Sequence, residues 1–69
     1  MITLHRLNDS PIVVNLDHIE TVEPTPDTTV TLTSGKKLVV KETVEEIIQL
    51  ALRYKARIKF YADRESLEG

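Results

Sequence analysis

Residues 27–42, Asp-Thr-Thr-Val-Thr-Leu-Thr-Ser-Gly-Lys-Lys-Leu-Val-Val-Lys-Glu, limit the fold more than any other stretch of the chain. Thr29, Thr31 and Thr33 alternate with Val30 and Leu32, the period of a strand with one face buried. Ser34-Gly35 is a turn pair, and glycine there takes the positive φ of a tight hairpin or bulge without a Cβ clash. Leu38 and Val40 repeat the alternation on the way back. The stretch therefore predicts a β-hairpin, and a chain of 69 residues has room for one small domain built around it.

The flanking segments extend the same pattern. Ile2 and Leu4 alternate with Thr3 and His5, which predicts a first strand within residues 1–7. Asn8-Asp9-Ser10-Pro11 reads as a turn, and the β-branched run Ile12-Val13-Val14 as the strand that pairs back. Asn15-Leu16-Asp17-His18 interrupts the alternation and reads as a bend or a single helical turn. Residues 19–23 form a third strand, but Ile19 and Val22 are out of phase, so a bulge between them is expected. Residues 24–28 hold two prolines and make the next turn, with Pro26 and Asp27 at its centre.

At Thr43 the period changes. Thr43 suits a helix N-cap, and Glu46 falls three residues later, where a capping box needs it. Val44, Ile47, Ile48, Ala51 and Tyr54 share one face, extended by Ile58 if the helix continues. Glu45 and Glu46 suit the positive end of the helix dipole, and Arg53 and Lys55 the negative end. The helix is expected from about residue 43 to at least residue 55. Residues 56–61 fit either more helix or a short strand, and residues 62–69 read as a polar, flexible tail. The fold class is α+β: a small antiparallel sheet of about five strands with one C-terminal helix, in a single domain over residues 1–61.

Composition narrows the function classes. There is no cysteine, so neither a disulfide nor a thiolate metal site supports the small core. Residues 12–14 and 38–40 are apolar on both faces of their strands. One helix covers one face only, so either the sheet curls into a small barrel or the second face meets another copy. A homo-oligomer is the expectation, because self-association is a common remedy for a small core. The formal net charge of −2 argues against broad nucleic-acid binding. No apolar run approaches the roughly 18 residues of a membrane span, and no secretory signal pattern opens the chain, while the absence of cysteine fits a reducing cytoplasm.

Catalytic groups are sparse. His5 and His18 lie in different elements, and Ser10 and Ser34 sit in turns without a base at readable spacing. Asp17, His18 and Glu20 lie close together in sequence, but a metal site needs three or four ligands converging from several elements. Ser34-Gly35-Lys36-Lys37 lacks the second glycine and the following Ser or Thr of a phosphate-binding loop. No enzymatic activity, metal or cofactor is expected. The most suggestive stretch is Arg53-Tyr54-Lys55-Ala56-Arg57-Ile58-Lys59-Phe60-Tyr61, basic and interleaved with aromatics. It fits a helix end whose cations complement the dipole while its aromatics enter the core. It also fits a contact with an acidic protein surface or anionic lipid, or with nucleic acid.

Residues 26–43, with Pro-Asp-Thr, an alternating strand, Leu-Thr-Ser-Gly-Lys-Lys, an apolar strand and Val-Lys-Glu-Thr before a helix, resemble the FlbD/SwrD family of flagellar and swarming-motility proteins. The likeness extends upstream through Leu7-Asn8, Asn15 and Ile19-Glu20-Thr21-Val22-Glu23, and downstream through Val44-Glu45-Glu46-Ile47 and Tyr54-Lys55. It departs at Asp9, where the family commonly has glycine, and at Thr43, where serine is common. The resemblance implies a cytoplasmic, non-enzymatic accessory of bacterial flagella that supports swarming by raising motor power through the stator units. It implies no cofactor, and any association with the membrane would be peripheral, through a partner. Candidate contacts are Lys36 and Lys37 at the hairpin tip and Arg53, Lys55, Arg57 and Lys59 on the helix. The alternative is a small regulatory module that binds nucleic acid or a transcription factor.

Overall fold

The structure, a computed structural model, describes the backbone of residues 1–68 and the side chains of residues 1–57. Five strands and one long helix follow in order: β1 (Ile2–His5), β2 (Pro11–Val14), β3 (Ile19–Glu23), β4 (Thr29–Leu32), β5 (Lys37–Val39) and α1 (Val44–Glu68), with a short 3-10 helix (Leu16–His18) before β3. The α+β class read from the sequence is the class observed. The strands form two antiparallel sheets, β1-β2 and β3-β4-β5, rather than one.

Two hairpins share one construction. In the first, the Asp9 N–H donates to the Arg6 carbonyl at 2.9 Å and the Arg6 N–H to the Ser10 carbonyl at 2.9 Å. In the second, the Gly35 N–H donates to the Leu32 carbonyl at 2.8 Å and the Leu32 N–H to the Lys36 carbonyl at 2.8 Å. Asp9 has φ 70° and Gly35 φ 91°, so each closes its turn in the left-handed region, as a type I turn followed by a bulge requires. The first turn thus closes from Arg6 to Asp9, two residues before the segment expected from sequence, and the Asn8 side chain accepts from Ser10 just beyond it.

The expected bulge in β3 is present. Ile19 pairs with Leu32 and Thr21 with Thr31, so Glu20 is the extra residue that brings Ile19 and Val22 onto the same side. The interruption before β3 is a helical turn capped by Asn15, whose side chain accepts from the Asp17 N–H at 3.0 Å.

Val40 joins the sheets. Its N–H donates to the Thr28 carbonyl at 2.9 Å beside β4, and it forms an antiparallel bridge with Arg6 at the end of β1. The chain therefore crosses from the second sheet to the first just after β5. The two sheets enclose one core of Ile2, Leu4, Val14, Val30, Leu38 and Val40, closed by Ile47 from α1. Strand alternation sends the other residues outward, leaving Val13 63% and Val39 40% exposed.

The helix departs from expectation in two ways. Leu50 packs against the core with Ile47 and Tyr54, whereas Ile48, expected on the buried face, is 50% exposed. The core-facing stripe is rotated toward Leu50. The helix also continues through residues 56–61 rather than giving way to a strand, and its backbone runs on to Glu68. Arg53 and Lys55 accordingly lie in mid-helix, away from the terminal turn where cations complement the dipole. The side chains of Ile58, Lys59, Phe60 and Tyr61 lie outside the described residues.

Candidate functional site

The helix begins as a capping box. The Glu46 N–H donates to Thr43 Oγ1 at 3.1 Å, and the Thr43 N–H donates to Glu46 Oε1 at 3.4 Å. Glu45 and Glu46 stand in the first turn, at the positive end of the dipole.

The segment entering this cap is fastened to β1. The Lys41 N–H donates to the His5 carbonyl at 2.8 Å. The Glu42 carboxylate accepts from the His5 N–H at 2.8 Å and lies 2.6 Å from His5 Nδ1. His5 thus uses both backbone groups and its ring to hold residues 41 and 42. The Glu42 side chain is only 12% exposed. Burial alone would raise its carboxyl, but the hydrogen bonds from the His5 ring and backbone outweigh it and hold the carboxyl below its ordinary value. Beside this pair, Lys41 Nζ donates to Asp9 Oδ1 across the surface. That hydrogen bond, reinforced by charge attraction, lowers the Asp9 carboxyl and raises the Lys41 ammonium.

Fastening β1 to the helix start opens a groove between the outer face of β1 and the first half of α1. Thr3 and His5 line one wall, and Glu45, Ile48, Gln49 and Arg53 the other. The imidazole is occupied by Glu42, so the pair links two segments of the fold. The groove mixes one exposed isoleucine with charges of both signs, the chemistry of a contact surface.

The six candidate cations fall in separate places. Lys36 and Lys37 are exposed at the β4–β5 hairpin. Arg53 and Arg57 are exposed one turn apart on one side of α1. Lys55 lies two residues beyond Arg53, about 200° round the helix, and so on the opposite side. The Lys59 side chain lies outside the described residues. Among the described residues no three metal-ligating side chains converge, and Asp17 and His18 are both exposed.

Comparison with known families bears on the whole domain. The family model for flagellar and swarming motility proteins, FlbD, matches residues 1–59. The chain belongs to the FlbD family. No curated protein and no solved structure matches it. The span matched to FlbD takes in both sheets, the capping box and all six candidate cations, and ends before Phe60.

Two features of this FlbD-family chain were not legible in its sequence. His5 and Glu42 are separated by 37 positions, and Asp9 and Lys41 by 32. No local spacing announces such pairs. They follow from the register in which Arg6 meets Val40.

Proposed function

We propose that this FlbD-family chain is a non-enzymatic accessory of the bacterial flagellum that works in the cytoplasm and raises motor power for swarming through the stator units. The observation that carries the reading is the family match over residues 1–59. The placement of the helix cations supports a docking role. Arg53 and Arg57 are exposed in mid-helix, where neither the dipole nor the core gives them a purpose. Paired arginines one turn apart suit an acidic, carboxylate-bearing partner, since each guanidinium can grip a carboxylate with two hydrogen bonds. Association with the membrane is then indirect, through the motor component that is bound.

The test is complementation of a swarming strain lacking the chain. Arg53→Glu/Arg57→Glu is expected to leave the fold intact by circular dichroism, reduce swarm expansion several-fold and abolish co-purification of stator subunits. Lys36→Glu/Lys37→Glu gives the contribution of the hairpin tip. Normal swarming by the arginine variant would remove those contacts. A wild-type chain that never captures a motor subunit, even after crosslinking in swarming cells, would remove the stator reading.

A further inference from the structure

The outward face of α1 carries a second pattern, separate from the arginine pair. Glu45, Ile48, Leu52 and Lys55 follow at intervals of three, four and three residues, the spacing of a coiled-coil seam. All four are exposed, and Ile48 and Leu52 are the two large apolar side chains that the first half of the helix leaves in solvent, at 50% and 55%. The core-facing side chains Ile47, Leu50 and Tyr54 lie on another side of the helix, so among the described residues this seam takes no part in the core, and Glu45 and Ile48 border the groove beside β1.

The seam reads the same in reverse about the level of residue 50. Ile48 and Leu52 are equally far from that level, and so are Glu45 and Lys55, which carry opposite charge. Through residue 57 the charges of the helix are divided in the same sense: residues 44–49 hold Glu45 and Glu46 with no base, and residues 50–57 hold Arg53, Lys55 and Arg57 with no acid, before the mixed charges of residues 58–68. A second helix of the same sequence laid antiparallel places acidic halves on basic halves at both ends. Laid parallel, it places like on like.

We propose that α1 is a self-association surface on which a second copy of this chain docks antiparallel, about a two-fold axis near residue 50. Ile48 of each copy packs on Leu52 of the other, and Glu45 of each meets Lys55 of the other. The contact is isologous, so one patch serves both partners and the assembly closes as a dimer. The core-facing stripe centres roughly 150° round the helix from the seam, and Glu45 and Ile48, which also border the β1 groove, are both exposed. The helix begins at Val44, so about an axis at residue 50, residues 44–56 of the two copies lie side by side, about 20 Å of helix, and the remainder of each helix extends past its partner's first turn. The second apolar sheet face, where the sequence leads one to expect another copy, and the sheet edges are the competing surfaces. The helix seam is favoured over those surfaces because it combines exposed apolar groups with self-complementary charge. The inference does not depend on the motor reading.

The decisive measurement is the mass of the full chain by sedimentation equilibrium, over about 1–100 µM because a seam this narrow binds weakly. A monomer–dimer equilibrium is expected. Ile48→Asp, at an exposed position, leaves the circular dichroism spectrum unchanged and moves the equilibrium to monomer. Glu45→Lys and Lys55→Glu each weaken the dimer at least ten-fold, and the doubly swapped variant restores it. Because the chain has no cysteine, orientation is read by mixing I48C with L52C under mild oxidation. The antiparallel pair forms the mixed disulfide in preference to either homodisulfide. A monomer at every concentration, a dimer indifferent to Ile48→Asp, or homodisulfides in excess would each overturn the proposal. The second of those results would move self-association to the sheet edges.

Discussion

Asp9 and Gly35 close their hairpins at the same position, both with positive φ. Glycine takes this conformation freely, whereas aspartate tolerates it with strain that its short polar side chain moderates. Asp9 also receives Lys41, an exposed ion pair of small expected worth. Asp9→Gly is therefore expected to match or exceed the parent thermal midpoint, and Asp9→Ala, which keeps a Cβ and loses the local polar group, to fall below it. Thermal melts of the two variants check the order. Glu42 gives a pH prediction. Its carboxyl is lowered in the folded chain, so its stabilising contribution is present above the unfolded carboxylate range, about 4.3, and is lost as pH falls through the lower folded value. Glu42→Gln removes the charge that His5 stabilises. It should cost about 1.5–3 kcal/mol at neutral pH and flatten the acid limb of the stability curve, as urea melts between pH 3 and 7 would show.

The helix shows how an element is assembled from signals of unequal reach. Thr43 and Glu46 form the capping box that their spacing predicts, because a cap depends only on residues one turn apart. Thr43→Ala should cost about 1 kcal/mol, and Thr43→Ser should restore most of it, by denaturant unfolding. The buried face is a longer-range matter. Periodicity treats Ile47 and Ile48 alike, yet Ile47 is 4% exposed and Ile48 50%. At concentrations where the chain is monomeric, Ile47→Ala should cost about 2–4 kcal/mol, whereas Ile48→Ala should lie within about 0.5 kcal/mol of the parent. Equal losses would mean that the helix is rotated from the position described.

The molecule as a whole rests on very few side chains. Among the described residues Leu4 of the first sheet, Val30 of the second and Val40, which joins the two, are the largest side chains fully removed from solvent. A domain this small is stable by only about 3–10 kcal/mol. Leu4→Ala, at a position with no exposure, should remove about 2–5 kcal/mol of that. The variant is expected to lose its cooperative transition near 37 °C, by calorimetry. The same scarcity of interior explains why the exposed seam of α1 matters: a chain with so small a core gains more than most from a second copy.

Five strands, the bulge in β3, the Ser34-Gly35 turn, the Asn15 turn and the start of the helix were all legible along the chain, and the first hairpin turn was legible to within two residues. Each depends on neighbours within a few residues, and alternation, turn chemistry and capping act at that range. The split into two sheets, the rotation of the helix toward Leu50 and the His5–Glu42 and Asp9–Lys41 pairs were not legible. All of them follow from where the chain crosses at Val40 to meet Arg6, a contact between distant residues that local pattern does not encode. Only packing of the two sheets around one core selects that register, and with it the faces of α1 left to partners.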